Sequence, residues 1–283
     1  WQDWKLVSAH GRACDPVAEV LAHPQVFFLT GGGDTPATLC AKLTAAGLGA
    51  AHALVGENLG TPAEAIRFGL ARELAEQSFA PLSVLLIERE ALPSRRTPGL
   101  PDDAFIRGAV PMTKQEVRAA ALAKLAVTPK DTLWDVGAGT GSVSVELALA
   151  APAGQVYAVE CDPEACALIQ QNREKFAAYN LTLIEGKAPD ALDALPAPDA
   201  VFIGGTKGNM DAVIDAVLHK NPVARLCITA IALETLSAAV AALTAHGLSA
   251  EVTQIAVSRT KTAGSLHLLM ANNPVFLITG ART

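Results

Sequence analysis

Short apolar runs alternate along the chain with longer segments in which apolar positions recur every three or four residues. The short runs are typical of strands, and the longer period is typical of helices that bury one side. In the first part of the chain, strands are predicted at 5–8, 26–30, 53–55 and 83–87. Helices are predicted between them, at 36–46 and at 62–77, the second with Thr61 as N-cap and Pro62 in its first turn. The pattern predicts α/β structure for this part.

The alternation is clearer in the second half, where strands are predicted at 132–136, 155–160, 181–185, 199–203, 224–229, 251–257, 265–270 and 275–279. Helices are predicted at 113–125, 142–150, 163–178, 210–219 and 234–245. We expect Thr113 to cap the first of these with Glu116 completing a capping box, and Asp162 to cap the third. Strand–helix alternation predicts a mostly parallel sheet with helices on both faces, and the last strands are expected to form an antiparallel edge.

The clearest domain boundary is the stretch 93–101, which holds three prolines, a glycine and the pair Arg95-Arg96 without periodicity. A chain of 283 residues is also long for one domain. We therefore predict a first domain at 1–92, a linker at 93–101 and a second domain at 102–283, and we expect the two arginines to be solvated linker charge.

Composition excludes several classes of protein. A net charge of −6 gives no general electrostatic reason to bind nucleic acid. The five cysteines are scattered and lack metal-ligand spacing, which predicts reduced thiols in the cytoplasm and no metal site. The residues after Trp1 lack the pattern of a signal peptide, and the most apolar stretch, 226–248, is interrupted by Glu234 and His246. We therefore expect no membrane segment.

One loop carries the strongest chemical signal. After the strand ending in Asp135 and Val136, the chain continues Gly137, Ala138, Gly139, Thr140, Gly141 and then becomes helix-compatible. Such a loop presents bare backbone N–H groups and a helix N-terminus to a ligand. A dinucleotide-binding motif would need a glycine at position 142, where this chain has Ser142. The stretch also lacks the Lys-Ser/Thr ending of a Walker phosphate-binding loop. The loop is predicted to hold another nucleoside-containing cofactor.

Two later strand ends support this interpretation. Glu160 ends the next predicted strand and can accept hydrogen bonds from both ribose hydroxyls. The third strand ends before Gly186, Lys187 and Ala188, which are expected to lie beside the adenine. Together these features resemble the class I S-adenosylmethionine-dependent methyltransferases, which implies a Rossmann-like, seven-stranded, mostly parallel sheet. The resemblance adds Thr113 to the cofactor contacts, and Lys187 departs from it because many of these enzymes have an acidic residue there.

A narrower resemblance covers residues 99–280. The segment 99–114 with its Pro-Met-Thr-Lys motif, the strand 199–205 ending in Gly-Gly, and the closing segment 273–280 are similar to the decarboxylating C15-methyltransferases of cobalamin biosynthesis. The resemblance implies methylation of a precorrin at C15 with loss of carbon dioxide from its C12 acetate. It also suggests a homo-oligomer, such as a tetramer, formed through the second domain.

The first domain resembles a different family. The motifs at 10–12, 29–32 and 55–60 are similar to the C-terminal half of the tetrapyrrole methylases, specifically the C5-methylating ones. A fusion of both enzymes is found in the precorrin-6Y C5,15-methyltransferases (decarboxylating). The tetrapyrrole methylases carry a glycine-rich cofactor loop in an N-terminal half, and the given sequence does not include such a half. We therefore expect this domain to be truncated and unable to methylate C5 as it stands. The glycine-rich turn 30–36 alone is weak evidence for a phosphate or nucleoside site.

A polycarboxylate macrocycle needs cationic partners. The candidates near the predicted crevice are Arg107, Lys114, Lys207, Arg259 and Lys261. Glu234 and His267 are possible proton-handling groups, but a cap or core role suits them better, and no general base is assigned.

Two other hypotheses remain open at this point. The second domain can be a class I methyltransferase that acts on another small molecule or on RNA. Residues 1–92 can be a non-catalytic assembly module.

Overall fold

In a computed structural model of the chain, residues 4–11, 14–89 and 98–282 are described. The chain divides into two compact units, Trp1–Arg95 and Arg96–Thr283, each built around its own sheet. Arg95, Arg96 and most of the predicted linker lie outside the described residues, as does Arg12.

The first unit has five strands in the order β1-β2-β5-β3-β4. β1 and β2 are parallel, and the other neighbours are antiparallel. Alternate strand residues such as Val26, Phe28 and Leu85 are fully buried, and α2 contributes Leu39 and Leu43 to the same core. The elements are β1 (Lys5–Ser8), α1 (Pro16–Ala22), β2 (Gln25–Leu29), α2 (Pro36–Ala45), β3 (His52–Glu57), β4 (Ala65–Leu70), α3 (Ala71–Leu74) and β5 (Ser83–Glu88).

The predicted helix at 62–77 is wrong. The structure has a turn at its start, where the Thr61 hydroxyl accepts a hydrogen bond from Ala63 N and donates to the Asn58 carbonyl. The chain then forms β4, paired along its whole length with β3, and only the short α3 follows. The Thr-Pro signal thus marks a turn. Pairing with β3 suits the alternation of Ile66, Phe68 and Leu70 better than a helix does.

The second unit contains a seven-stranded sheet in the order β11-β14-β10-β9-β6-β7-β8. All neighbours are parallel except β14, which runs antiparallel to β10 and β11. The predicted mostly parallel sheet with an antiparallel edge is confirmed. The elements are α4 (Gln115–Leu125), β6 (Thr132–Val136), α5 (Ser142–Ala150), β7 (Gln155–Glu160), α6 (Pro163–Lys175), β8 (Leu181–Glu185), β9 (Ala200–Ile203), α7 (Met210–Lys220), β10 (Arg225–Ala230), α8 (Leu233–Ala245), β11 (Leu248–Ile255), β12 (Ser258–Ala263), β13 (Leu266–Ala271) and β14 (Val275–Arg282).

Helices cover both faces of this sheet. Leu133 packs in one apolar cluster with residues of α4, α5 and α6, whereas Trp134 and Val136 pack in a second cluster with residues of α7 and α8. β12 and β13 form a separate hairpin. It leaves the sheet where β11 ends and β14 begins, which is the edge that holds the carboxyl ends of the parallel strands.

The predicted capping box of α4 is wrong, whereas the predicted Asp162 cap of α6 is confirmed. α4 begins at Gln115, whose backbone N–H donates to Asp102 Oδ1 over 2.9 Å. Glu116 pairs with Arg259, and the Thr113 carbonyl accepts from Arg118. A carboxylate from an earlier segment thus takes the place of the local cap.

Among the described residues, none of the helices is long and apolar enough to cross a membrane.

Candidate active site

The glycine loop joins the end of β6 to α5 and closely approaches two other segments. Gly137 and Gly139 have φ values of 72° and 56°, in the left-handed region. A Cβ at Gly137 would lie 2.4 Å from the Gly205 carbonyl oxygen, and one at Gly139 would lie 3.2 Å from that of Pro111. These glycines are therefore required by the loop's own fold. A Gly139→Val substitution would disturb that fold as well as ligand binding.

Glu160, at the end of β7, holds the loop from the neighbouring strand. Its Oε2 accepts a hydrogen bond from Gly139 N over 2.9 Å. Its Oε1 accepts from Cys161 N and Asp162 N over 2.7 and 3.0 Å. A carboxylate offers about four acceptor positions, so capacity remains on Oε2 for a ligand hydroxyl.

The loops after β6, β7, β8 and β9 enclose one cleft of about 150 Å³. Its walls include five of the predicted cofactor residues and one predicted substrate residue: Gly137, Glu160, Gly186, Lys187, Ala188 and Lys207. Ala138 and Thr140 instead point away from solvent, with 9% and 1% exposure. Together with Gly141, these two residues shape the loop. Thr113 lies one residue after the buried Met112, in the segment that passes over the glycine loop.

The sequence analysis did not assign five residues that line the cleft: Val136, Val159, Cys161, Gly205 and Thr206. Lys207 Nζ lies 3.0 Å from Cys161 Sγ, so this contact joins the end of β7 to the loop after β9. The hydrogen bond to Cys161 raises the pKa of Lys207 above its usual value. Lys207 also has a left-handed φ of 50°, unusual for a non-glycine residue. The sequence signal that could have identified Cys161 as a cleft residue is its position directly after Glu160.

The other candidate cations lie on two segments at the same sheet edge. Arg107 is exposed on a segment that Asn172 and Glu164 hold through the backbone amides of Ile106 and Ala109. Lys114 is exposed at the start of α4, and Arg259 and Lys261 belong to the hairpin.

Arg259 differs from the other candidates because its guanidinium is engaged. It pairs with Asp102 over 2.8 Å and with Glu116 over 2.6 Å. The hydrogen bond from Arg259 holds the pKa of Glu116 below its usual value. The structure therefore gives Arg259 a role in anchoring the hairpin, and contact with substrate stays a prediction.

A buried ion network supports the segment that crosses the glycine loop. Arg118 is fully buried and donates to Asp102 and Glu146, each over 2.8 Å, and to the carbonyls of Leu100 and Thr113. Burial by itself would raise the pKa of Asp102, but Arg118 and Arg259 outweigh it and hold that pKa low. The sequence analysis missed Arg118, although it lies on the apolar stripe of α4 formed by Val117, Ala121, Leu122 and Leu125.

A second buried acid, Asp135, lies two residues before the first glycine of the loop. Asp135 Oδ2 accepts a hydrogen bond from the Ser144 hydroxyl, while its Oδ1 is buried without a hydrogen-bond partner. Burial raises the pKa of Asp135 to about 7. Among the described residues, no group of three or more His, Cys, Asp or Glu side chains is placed to hold a metal ion.

The glycine-rich turn of the first unit has a different environment. The His10 ring packs against Gly31, where a Cβ would lie 1.8 Å from Nδ1. Gly31 and Asp34 form a short antiparallel bridge, and Asp34 pairs with Lys42. The turn is thus closed by its own contacts.

Comparison with known proteins identifies relatives of the second unit. Residues 103–281 match the sequence profile of the family described as precorrin methyltransferase domain. A probable cobalt-precorrin-6B C(15)-methyltransferase (decarboxylating) of Pyrobaculum calidifontis is 46% identical over 186 residues, which cover 65% of this chain and 95% of the relative. The crystal structure of a precorrin-6Y C5,15-methyltransferase from Geobacter metallireducens superposes with a TM-score of 0.63 at 40% identity. It covers 66% of this chain and 97% of its own.

A third relative extends into the first unit. The precorrin-6Y C(5,15)-methyltransferase (decarboxylating) of a Sinorhizobium species is 40% identical over 223 residues, or 77% of this chain. This match is longer than the whole second unit, so it includes part of the first. The chain spans about half, 54%, of that relative's length. The predicted class I methyltransferase fold is confirmed by the sheet order and by these matches.

Proposed function

Because the chain belongs to the precorrin methyltransferase family, we propose that it methylates a precorrin at C15 and removes the carboxyl group of the C12 acetate as carbon dioxide. The observation that carries the proposal is the cleft at the carboxyl ends of the strands, where the glycine loop, Glu160 and Lys207 meet. The methyl donor is S-adenosylmethionine, as in the enzymes of this family.

The residues of the cleft fit this cofactor chemically. The Glu160 carboxylate suits the ribose hydroxyls, and Val136, Val159 and Ala188 supply apolar wall beside the nucleoside. A Cβ at Gly205 would meet nothing within 4 Å, so the loop after β9 leaves room there. The predicted contacts of Gly186 and Lys187 with the adenine belong to the same proposal.

Substrate carboxylates are proposed to meet the cations at this edge of the sheet. Lys207 reaches into the cleft, and Arg107 and Lys114 are exposed on the segment that crosses the glycine loop. Lys261 extends the set along the hairpin. The same proposal includes Arg259, although its two carboxylate partners already satisfy much of its guanidinium.

Methyl transfer and decarboxylation both require mainly that the protein align the reacting groups. Bound S-adenosylmethionine would supply an electrophilic methyl group for C15, and the protein would hold the two reactants in line. In the second reaction the bond from the acetate CH₂ to its carboxylate breaks. Carbon dioxide leaves, and the conjugated macrocycle takes up the electron pair and then a proton. The protein holds the carboxylates, positions C15 and excludes water from the reacting centre.

The decisive assay uses the purified chain, S-adenosylmethionine and the precorrin. The product is expected to gain one methyl group by mass, with one equivalent of carbon dioxide released. Folded protein that binds S-adenosylmethionine in calorimetry but yields neither product would contradict the proposal.

We also propose a role for residues 1–92 as the C-terminal half of a C5-methylating tetrapyrrole methylase domain, acting here as an assembly module without its own cofactor site. The match to the longer Sinorhizobium relative supports this proposal. Titration calorimetry should then find one S-adenosylmethionine site per chain, and two sites would contradict it.

The second unit is proposed to form a homo-oligomer, such as a tetramer, in the cytoplasm. The β12–β13 hairpin is the proposed contact surface between the copies. On it, Leu266, Leu269 and Met270 are 63%, 75% and 49% exposed. A two-stranded ribbon with such side chains is only marginally stable by itself in water. Leu269→Glu is expected to lower the mass measured by light scattering, and an unchanged mass would argue against this surface.

A further inference from the structure

The β12–β13 hairpin is attached to the second unit through one side chain. Among the residues of β12 and β13, all of which the structure describes, Arg259 alone is partly buried and the others are exposed. Exposed side chains contribute little packing, and a two-stranded ribbon is only marginally stable by itself. The position of the hairpin therefore depends on what Arg259 binds.

Two carboxylates at the start of α4 hold the guanidinium of Arg259. Its Nη1 donates to Asp102 Oδ2 over 2.8 Å. Its Nε and Nη2 donate to the two carboxylate oxygens of Glu116 over 3.2 and 2.6 Å. A bidentate contact of this kind fixes the orientation of the guanidinium as well as its place. Asp102 is buried and Glu116 is half-buried, so the two carboxylates hold Arg259 from the inside and from the rim.

The other oxygen of Asp102 connects the hairpin to the glycine loop. Asp102 Oδ1 accepts from Arg118 Nη1 over 2.8 Å and from Gln115 N over 2.9 Å. Arg118 in turn donates to Glu146 over 2.8 Å, and Glu146 belongs to α5, the helix that begins directly after the glycine loop. One continuous set of ion pairs therefore runs from the hairpin to the helix that follows the cofactor loop.

The hairpin carries a second cation on the side that Arg259 fixes. Lys261 follows Arg259 by two residues in β12, and strand residues two apart project from the same face of a ribbon. Their separation along the strand is about 7 Å. Anchoring Arg259 thus directs the exposed Lys261 to the side on which α4 begins, where Lys114 is also exposed.

From this arrangement we propose that Asp102 and Glu116 are positioning residues for the substrate. Through Arg259 they hold the hairpin at a fixed place relative to the glycine loop, so that Lys261 meets a carboxylate of the macrocycle while the cofactor occupies its cleft. The inference rests on the proposed function, because it takes the macrocycle as the ligand of Lys261. A ligand with several carboxylates needs cations at fixed separations, and cations held in place lose less freedom when it binds.

The test compares two carboxylate–arginine pairs of the same unit. Glu116→Gln loosens the anchor at a half-exposed position. We expect it to raise the KM for the precorrin about tenfold and to leave the affinity for S-adenosylhomocysteine within about twofold of wild type. Asp102→Asn should raise KM further. Asp131→Asn is the matched control, because Asp131 is also buried and pairs with Arg225 over 2.5 Å, but it precedes β6 at the opposite edge of the sheet. It should lower the melting temperature and leave KM unchanged.

A second readout does not depend on turnover. Hydrogen exchange of the hairpin amides, followed by peptide mass spectrometry, should be faster in Asp102→Asn and Glu116→Gln than in the wild type and unchanged in Asp131→Asn. Light scattering is measured for each variant, because the hairpin is also the proposed contact between copies. A lower mass in Glu116→Gln would assign the change in KM to assembly and would overturn the proposal.

The sign of the change in KM separates positioning from direct contact. If binding of the substrate by Arg259 itself were the main effect, Glu116→Gln would free the guanidinium and KM would fall, which would overturn the proposal. Unchanged hairpin exchange in both Asp102→Asn and Glu116→Gln would overturn it as well. A wild-type chain without turnover would contradict the proposed function, whereas normal turnover with wild-type KM in both variants would contradict this inference alone.

Discussion

Two glycine-rich turns link a strand to a helix in this chain, and they differ in what their neighbours provide. The turn after β2 lies between β1, which is parallel, and β5, which is antiparallel. The turn after β6 lies between β7 and β9, both parallel to β6. The first turn therefore has the carboxyl end of one neighbour beside it, whereas the second has those of both neighbours, and these ends bring Glu160 and Lys207 into its cleft.

The residues before the two turns differ as well. The Thr30 hydroxyl donates to the Ser83 carbonyl over 2.5 Å and is satisfied. Asp135 instead keeps one carboxylate oxygen without a hydrogen-bond partner in the interior. Buried polar groups of this kind cost stability and cluster at functional sites. Glycine content alone therefore does not distinguish the proposed cofactor site from the first turn, whereas the converging strand ends and the buried acid do.

The largest predicted effect concerns the cations that support the two turns. Arg118→Ala leaves Glu146 buried without its cation and leaves Asp102 with Arg259 alone, so the second unit should lose about 3–5 kcal/mol of stability. Lys42→Ala removes only an exposed pair beside the first turn, and a loss below about 1 kcal/mol is expected. Urea unfolding followed by both tryptophan fluorescence and circular dichroism measures the two changes against the wild-type chain. Equal losses would refute the contrast.

Asp135 predicts the pH dependence of stability. Its folded pKa of about 7 lies above the unfolded value of 3.8, so the folded state binds the extra proton between these values. Stability from this group is present at low pH and is lost as pH rises toward 7, by about 2–3 kcal/mol between pH 5 and pH 8. Asp135→Asn should flatten that slope. Asp102 and Glu116, with lowered pKa values, titrate below this window. An unchanged slope in the variant would contradict the assignment.

Glu160→Gln tests the cofactor side of the comparison. Losing a charged acceptor for the ribose should weaken S-adenosylmethionine binding about 10- to 100-fold in calorimetry. Asp34→Asn is the matched change at the first turn and should leave that affinity unchanged. Because Glu160 also holds three backbone amides, the melting temperature of the variant is measured in parallel. If the folded Glu160→Gln protein bound S-adenosylmethionine with wild-type affinity, Glu160 would not be the partner of the ribose.

Much of the site's framework could be predicted from local sequence. The bounds predicted for β6, β7 and β8 agree with those of the structure. These strands are short apolar runs between turn residues, and their order along the chain sets where their ends meet. The helix predicted over β4 failed because its pairing with β3 is not encoded in the local cap signal.

Contacts between segments that are distant along the chain could not be predicted from the sequence. Arg118 lies 16 residues from Asp102 and 28 from Glu146, and no local pattern names those partners. Lys207 and Cys161 are 46 residues apart and meet only because β9 and β7 flank β6. The sequence pattern could show that a charge lies on an apolar stripe, but not what neutralises it.

The smallest predicted effect uses the chain's own thiols as reporters of the two turns. Cys161 is exposed in the cleft, and Cys14 is partly exposed near the first turn, where burial and then Asp34 raise its pKa. S-adenosylhomocysteine should slow iodoacetamide labelling of Cys161 several-fold without changing that of Cys14, as read by peptide mass spectrometry. Lys207→Met serves as a second probe, because loss of the ammonium should change the labelling rate of Cys161 alone. Protection of both thiols would mean that the first turn also binds the cofactor, and the contrast between the turns would fail.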